Sequence, residues 1–489
     1  MNGAALRGRQ TAPVEIAPDP GSFRDRSNRV YRAGDRIYRG VSETAIRNYR
    51  ALSKTEFYKS LASEGKIVGT SETDPGEAQR FGALARWPAA LTHETAPFIS
   101  YPYEWSFGML KDAALLHLEI LKRAIPDGWI LKDSSAYNIQ FFGARPVFID
   151  IPSFEPYRTG EPWAGYRQFC MMFLYPLMLK SYLGVDFGPM MRAHMDGIDP
   201  SLANKLLGRP ARFRKGVLSH VVLHAKLQER AAARDLDEAR RLTEGAGGSP
   251  EARGGARHSL AMVLGIIEGL EAIVKSMKSP DERTVWGDYH ADHSYSDASH
   301  EKKKRFVESA AAGGNYRTIW DIGCNTGLFS RLCEKHCEQV VSIDGDPAAI
   351  DQLYRIEKAE GSGKILPLIV DFSNASPNQG WRGAERKSLE NRGRPDLILC
   401  LALIHHIVIS ANIPMSEFID WLAELGGDAV IEFVTMKDAM VQMLLRNRVN
   451  QYEDYTAEEF ERLASAHYEI AASEELKGGS RKIYYLRRR

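Results

Sequence analysis

One stretch near position 320 restricts the fold of this chain more than any other. Thr318, Ile319 and Trp320 form a short apolar run, Asp321 to Gly327 reads DIGCNTG, and the helix-forming LFSRLCEKH follows at once. That order is strand, tight turn, helix. Gly323 and Gly327 carry no Cβ, so a ligand can press against the backbone while the first N–H groups of the new helix stay free. The glycines are spaced G-x-x-x-G instead of G-x-G-x-x-G, and Asp321 stands directly before the turn. A carboxylate there repels a pyrophosphate and attracts an ammonium, so the expected ligand is cationic at this end.

The segments that follow repeat the alternation of strand and helix. QVVSID ends at Asp344, seventeen residues after Gly327, where an acidic side chain can accept both hydroxyls of a ribose; Asp346 is the alternative. KILPLIVD ends at Asp371 and Phe372, a carboxylate for an adenine amino group and a ring or backbone to flank the base. PDLILCLAL leads into Ile404, His405 and His406, and DAVIEFV follows an amphipathic helix. Right-handed crossovers between parallel strands put all these strand ends on one edge. The expectation is an α/β, Rossmann-like domain over 318–489 with S-adenosyl-L-methionine as cofactor. If the acceptor must lose a proton, His405, His406 or Glu432 is placed to take it.

In motif and order this third of the chain resembles the class I S-adenosylmethionine-dependent methyltransferases, and the terminal GSRKIYYLRR resembles their final antiparallel strand. The resemblance implies that Asp321, Gly323 and Gly327 contact the methionine end, Asp344 the ribose and Asp371 the adenine. Asn325 stands where the family often has glycine and adds a hydrogen-bond donor to the cofactor site. More narrowly, DIGCNTGLFS with VIEFV, VQMLL and the upstream SYPYEW is similar to the bacterial nodulation-protein NoeA-like methyltransferases, over most of the chain. That likeness implies a bacterial pathway modifying a small molecule or glycan-like product.

At 489 residues the chain exceeds one ordinary core, which predicts two main domains. Residues 1–29, rich in Pro, Gly and Arg, are expected to be a disordered lead-in, 30–230 an α+β domain, 231–258 a flexible linker, and 259–317 a helical lead-in to the methyltransferase. Tyr289 and Tyr295 in that lead-in are candidates to close over the cofactor. A helix over 106–124 places Met109, Ala113, Leu116 and Leu121 on one buried face. After it, Asp133, Asn138 five residues on and Asp150 twelve further resemble the catalytic loop and metal-binding aspartate of the protein-kinase and aminoglycoside-phosphotransferase fold. Leu131 replaces the usual histidine, Ile151 and Pro152 follow Asp150, no glycine-rich phosphate loop is present, and Lys66 is the best strand lysine. Three readings stay open: a kinase-like fold kept for recognition, an active phosphotransferase requiring magnesium and ATP, or an unrelated domain. For the whole chain the alternatives to a methyltransferase are a bifunctional methyl- and phosphotransferase, or a non-catalytic S-adenosylmethionine-binding protein.

The net charge of +1 supplies no global field for nucleic acid or an anionic membrane, and no local patch stands out. Neither partner is expected. Five sparsely spaced cysteines fit a reducing cytoplasm. Cys333, His336 and Cys337 lack a second ligand pair at zinc-like spacing, so no metal is expected. The first residues lack the apolar core of a signal peptide, and the longest apolar run, from Phe169 to Leu179, contains Pro176.

Overall fold

The computed structural model describes residues 16–230, 259–280, 297–446 and 451–489. The expected linker over 231–258 and the segment holding Tyr289 and Tyr295 lie outside the described residues.

The N-terminal half opens with β1 (Ala17–Pro18), β2 (Asn28–Ala33) and β3 (Arg36–Val41), then α1 (Glu43–Leu52) and α2 (Glu56–Ser63), β4 (Thr70–Glu72), α3 (Pro75–Arg80) and β5 (Ala89–His93). The strands form an antiparallel sheet in the order β1-β2-β3-β5-β4. Gly34, at φ 58°, makes the turn between β2 and β3. Residues 16–29, expected to belong to a disordered lead-in over 1–29, are ordered. Ala17 and Pro18 pair with Arg32 and Tyr31, and Arg24 is ion-paired with Glu385. The partners that order this polar segment lie far along the sequence, beyond the reach of a compositional reading.

Next comes α4 (Phe107–Ala124), capped by Ser106, whose hydroxyl accepts from the Met109 amide. The expected face is buried, but so are Leu110, Ala114, Leu118 and Ile120. This helix is buried nearly all round because other elements pack against several of its sides. Strands β6 (Trp129–Leu131), β7 (Ile139–Phe142), β8 (Arg145–Phe148) and β9 (Phe154–Pro156) form two small antiparallel pairs, β6 with β9 and β7 with β8. Helices α5 (Tyr166–Phe169), α6 (Tyr175–Leu183), α7 (Gly188–Ala193), α8 (Pro200–Leu207) and α9 (217–230) complete this half. The helix α10 (Leu260–Ser276), expected to introduce the methyltransferase, instead lies along α4, burying Val263, Ile267, Leu270, Ile273 and Val274. Its apolar stripe matches α4, and Lys122 and Glu271 pair at the contact, 2.6 Å apart.

After α11 (Asp297–Gly313) the C-terminal sheet begins, with β10 (Thr318–Ile322), β11 (Gln339–Asp344), β12 (Ile365–Ile369), β13 (Leu397–Cys400), β14 (Asp428–Val434), β15 (Tyr468–Leu476) and β16 (Arg481–Arg488). Its order is β12-β11-β10-β13-β14-β16-β15; the first five strands are parallel and β16 runs antiparallel between β14 and β15. The crossovers include α12 (Leu328–Cys333), α13 (Pro347–Glu360) and α14 (Met415–Leu425). The central strands are nearly continuous apolar runs, as strands covered on both faces must be.

The two halves share one core. Phe98 meets Trp320 edge-on at 5.8 Å, and Phe141 meets Tyr354 at 6.0 Å. The Ser106 hydroxyl and the Gly108 amide both donate to Asp351 Oδ1, at 2.8 and 2.7 Å, and Tyr354 donates to Asp112 at 2.6 Å. Arg392, 0% exposed, donates through both Nη atoms to Glu104, each at 2.6 Å.

Candidate active site

Three residues of the turn after β10 have left-handed backbone: Gly323 at φ 77°, Asn325 at 51° and Gly327 at 80°. Asparagine tolerates that region better than most side chains, so Asn325 preserves the turn where the family often has glycine. Gly327 is held to glycine twice over, because a Cβ there would also lie 2.4 Å from Leu353 Cδ1. The Asn325 amide donates to Asp344 Oδ2 at 2.8 Å, and the Asp346 amide to Oδ1 at 2.8 Å. Asp344 is thus oriented by backbone at the tip of β11, while each oxygen keeps a lone pair for a ribose hydroxyl. Burial pushes its carboxyl above the ordinary range, and the amides oppose that push. Asp346 has another task. It caps α13, accepting from the Ala348 and Ala349 amides at 2.9 and 3.3 Å.

Asp321 lies beneath the turn instead of on its surface, 2% exposed, and accepts from the Ser330 hydroxyl at 2.6 Å. Ser342 reaches Ser330 at 2.7 Å, linking β10, α12 and β11. Burial raises the Asp321 carboxyl to about 6. Asp371 is exposed and accepts from the Ser373 amide and hydroxyl, at 2.9 and 2.6 Å. Phe372 is buried with its ring 4.1 Å from that of Trp421.

The candidate bases have different surroundings. His405 is 1% exposed, its ring lies 4.1 Å from that of His406, and neither ring nitrogen has a hydrogen-bond partner among the described residues. Burial lowers its pKa to about 3, and that of His406 is lowered for the same reason. Both imidazoles are neutral at physiological pH. The candidate base Glu432 is corrected: it is 0% exposed, 2.6 Å from Lys303 of α11 and 3.3 Å from Arg481 of β16. Arg481 in turn holds Asp438 at 2.8 Å. A carboxylate enclosed by two cations is a structural anion with no open path for a substrate proton. Sequence reasoning missed Lys303 and Arg481; both sit in short basic clusters, KKKR and RK, that read as surface charge, so no local signal set them apart.

In the N-terminal half the structure does bring together Asp133, Asn138 and Asp150. Asn138 donates to Asp133 Oδ1 at 2.5 Å, and burial with the neighbouring Asp150 charge raises Asp133 to about 6. Asp150, however, is bonded to Arg39 of β3, which also contacts Asn28 at 3.3 Å. Lys66 is corrected as the strand lysine: its ammonium pairs with Glu64 and Glu119, at 2.7 and 2.6 Å, away from Asp150. The cation facing Asp150 is Arg39, two positions before the end of β3. The turn of the β2–β3 hairpin is too short to cradle phosphates. Magnesium and ATP therefore fit this cluster poorly, with one aspartate already neutralised by a guanidinium. Among the described residues no group of three His, Cys, Asp or Glu side chains is arranged to hold a metal.

Between the halves lies a cavity of about 1210 Å³. Tyr103, Phe107, Lys180 and Arg192 line it from the N-terminal half, and Gly345 and Asp371 from the loops after β11 and β12.

Strand order, the antiparallel β16, the glycine-bearing turn and the acid at the tip of β11 together define a class I S-adenosylmethionine-dependent methyltransferase. The chain belongs to the family of the nodulation protein NoeA of Rhizobium meliloti (strain 1021), with which it is 35% identical over 486 residues, 97% of this chain and 98% of that one. No protein-family profile matches the sequence. Among solved structures, N-methyltransferase NodS of Bradyrhizobium japonicum WM9 with S-adenosyl-L-homocysteine aligns with 41% of this chain and 92% of its own, at 15% identity and TM-score 0.30. Magnesium protoporphyrin IX methyltransferase of Synechocystis PCC 6803 aligns with 39% and 81%, at 16% identity and TM-score 0.27. Likeness of that degree says nothing about the acceptor.

Proposed function

We propose that this enzyme transfers the methyl group of S-adenosylmethionine to a small-molecule or glycan-like acceptor, and that the N-terminal half takes part in recognising it. The observation that carries the reading is the turn after β10, with glycine at 323 and 327, beside the backbone-oriented Asp344 at the tip of β11, an arrangement that fits a ribose. Asp371 and Phe372 flank the adenine end in this reading, and Asp321, Gly323, Asn325 and Gly327 the methionine end. When bound, the cofactor supplies an electrophilic methyl on a good leaving group. The protein's tasks are to align acceptor and methyl and to exclude water. His405 and His406 stay neutral, and burial that lowers His405 to about 3 makes it a weak proton acceptor, so in this reading alignment of the acceptor with the methyl carries most of the catalysis.

The cavity between the halves supports the acceptor class. Its volume suits more than one sugar-sized ring, and its lining mixes aromatic faces with amines, amides and carboxylates, the groups that bind a polyhydroxylated chain. Calorimetric titration with S-adenosylhomocysteine tests the cofactor site. We expect micromolar binding that Asp344→Ala weakens at least tenfold; absence of binding by the native chain refutes the reading. ATP with magnesium, titrated in parallel, is expected to give no heat. Transfer of labelled methyl to oligosaccharides or to single sugars and amino sugars then separates acceptor classes, and tight binding with no turnover on any acceptor would favour a sensor.

A further inference from the structure

From Pro200 to Gln228 the sequence contains no carboxylate and six cations: Lys205, Arg209, Arg212, Arg214, Lys215 and Lys226. All six are exposed, and none has an ion-pair partner among the described residues, although Lys215 Nζ donates to the Ala272 carbonyl at 3.1 Å and Arg214 lies over the Tyr182 ring. The bounding acids are Asp199, engaged with Arg167 at 3.5 Å, and the exposed Glu229. Large apolar side chains stand among these cations. Phe213 is 97% exposed, Leu218 64%, and Leu223 and Leu227, one helical turn apart, 53% each. The segments are continuous in space, since α8, the 3-10 turn Pro210–Phe213 and the first turn of α9 pack on one another. No helix of the described residues is long and apolar enough to cross a membrane.

We infer that this face is a docking surface for an anionic lipid bilayer, against the expectation from net charge that the chain has no membrane partner. Each observation selects against another occupant. Unpaired cations with no intervening acid are attracted to a negatively charged surface and are displaced from it by salt. Apolar side chains projecting between them gain nothing from a phosphate backbone but are removed from water at the boundary of headgroups and acyl chains, while the aliphatic stems of Lys and Arg lie along the same boundary. Phe213 between Arg212 and Arg214 unites both features. The patch belongs to α8 and α9 of the N-terminal half, and the inference does not depend on the methyl-transfer reading.

The test is co-sedimentation of the full chain with vesicles of phosphatidylcholine alone, or of phosphatidylcholine and phosphatidylglycerol in equal parts. We expect binding to the mixed vesicles only, weakened by high salt. Phe213→Ser, at a position with almost no packing to lose, should reduce partitioning roughly tenfold or more. The triple variant Arg209→Ala, Arg212→Ala, Arg214→Ala should reduce it further, with unchanged circular dichroism in both. No binding to mixed vesicles overturns the inference. So does binding that Phe213→Ser leaves untouched and that a single-stranded oligonucleotide matches, which would identify a polyanion site.

Discussion

Removing the carboxylate of Glu104 should destabilise both halves of the molecule at once. Glu104 is 2% exposed and accepts two charge-assisted bonds from the fully buried Arg392, one from the Tyr101 amide at 3.0 Å and one from the Ser376 hydroxyl at 3.1 Å. Glu104→Ala leaves the guanidinium among Phe98, Tyr101 and the Ile99 carbonyl, with no anion. Stranding a buried charge in this way costs about 3–5 kcal/mol, whereas replacing both partners with apolar side chains of similar volume is often neutral. The double variant Glu104→Met, Arg392→Met should therefore be more stable than Glu104→Ala alone. Urea unfolding followed by tryptophan fluorescence and far-ultraviolet circular dichroism measures this. Because Trp105 lies in one half and Trp320 in the other, within one continuous core, a single transition is expected in the native protein. The reasoning is refuted if Glu104→Ala costs less than about 1 kcal/mol, or if the native halves unfold in separate steps.

Four further outcomes follow from particular contacts. Gly108→Ala puts a Cβ 2.9 Å from both Asp351 Oδ1 and Tyr354 Cδ1, so it should lower the urea midpoint by roughly 1–3 kcal/mol equivalent. Gly327→Ala meets both the φ of 80° and the Leu353 methyls, and calorimetry should show loss of S-adenosylhomocysteine binding alongside destabilisation. Asp321, raised to about 6 when folded from an ordinary 3.8, binds a proton more tightly folded than unfolded between those pH values. Stability contributed by its protonated form is present below about 4 and is lost as pH rises through 6; about 1.4 kcal/mol of that decline falls between pH 5 and 7.5, and Asp321→Asn should remove it, read from urea midpoints at those two pH values. His405, near 3, is neutral throughout pH 5–8, so the rate of methyl transfer should show no inflection at the usual histidine pKa.

Local periodicity carried most of the C-terminal sheet. Each of β10 to β14 is an apolar run ended by a turn or an acid, and the G-x-x-x-G turn needs only neighbours in sequence to be recognised. Features joining distant segments were not legible. Glu432 reads as a base only from its place on the fifth strand, and its two cations come from α11 and β16, which no local pattern connects to β14. Arg24 with Glu385, and Arg39 with Asp150, are contacts of the same kind, and they account for the ordered lead-in and the neutralised aspartate. α10 was assigned to the wrong half because its apolar stripe states that it packs, not against what. The cationic face of α8 and α9 was overlooked for another reason: a whole-chain charge of +1 averages it with acids elsewhere.

The pair of bonds from Ser106 and Gly108 to Asp351 joins the start of α4 to the second turn of α13, the helix that Asp346 caps next to Asp344. A ligand in the cavity between the halves touches both sides of that joint. If its binding shifts α13 relative to the turn after β10, affinity for it and affinity for the cofactor are coupled through one free energy, and the factor by which either alters the other is the same in both directions. Each ligand would then be held more or less tightly by that factor when the other is bound, with no moving lid required, and removing the Asp351 carboxylate would make the two bindings independent.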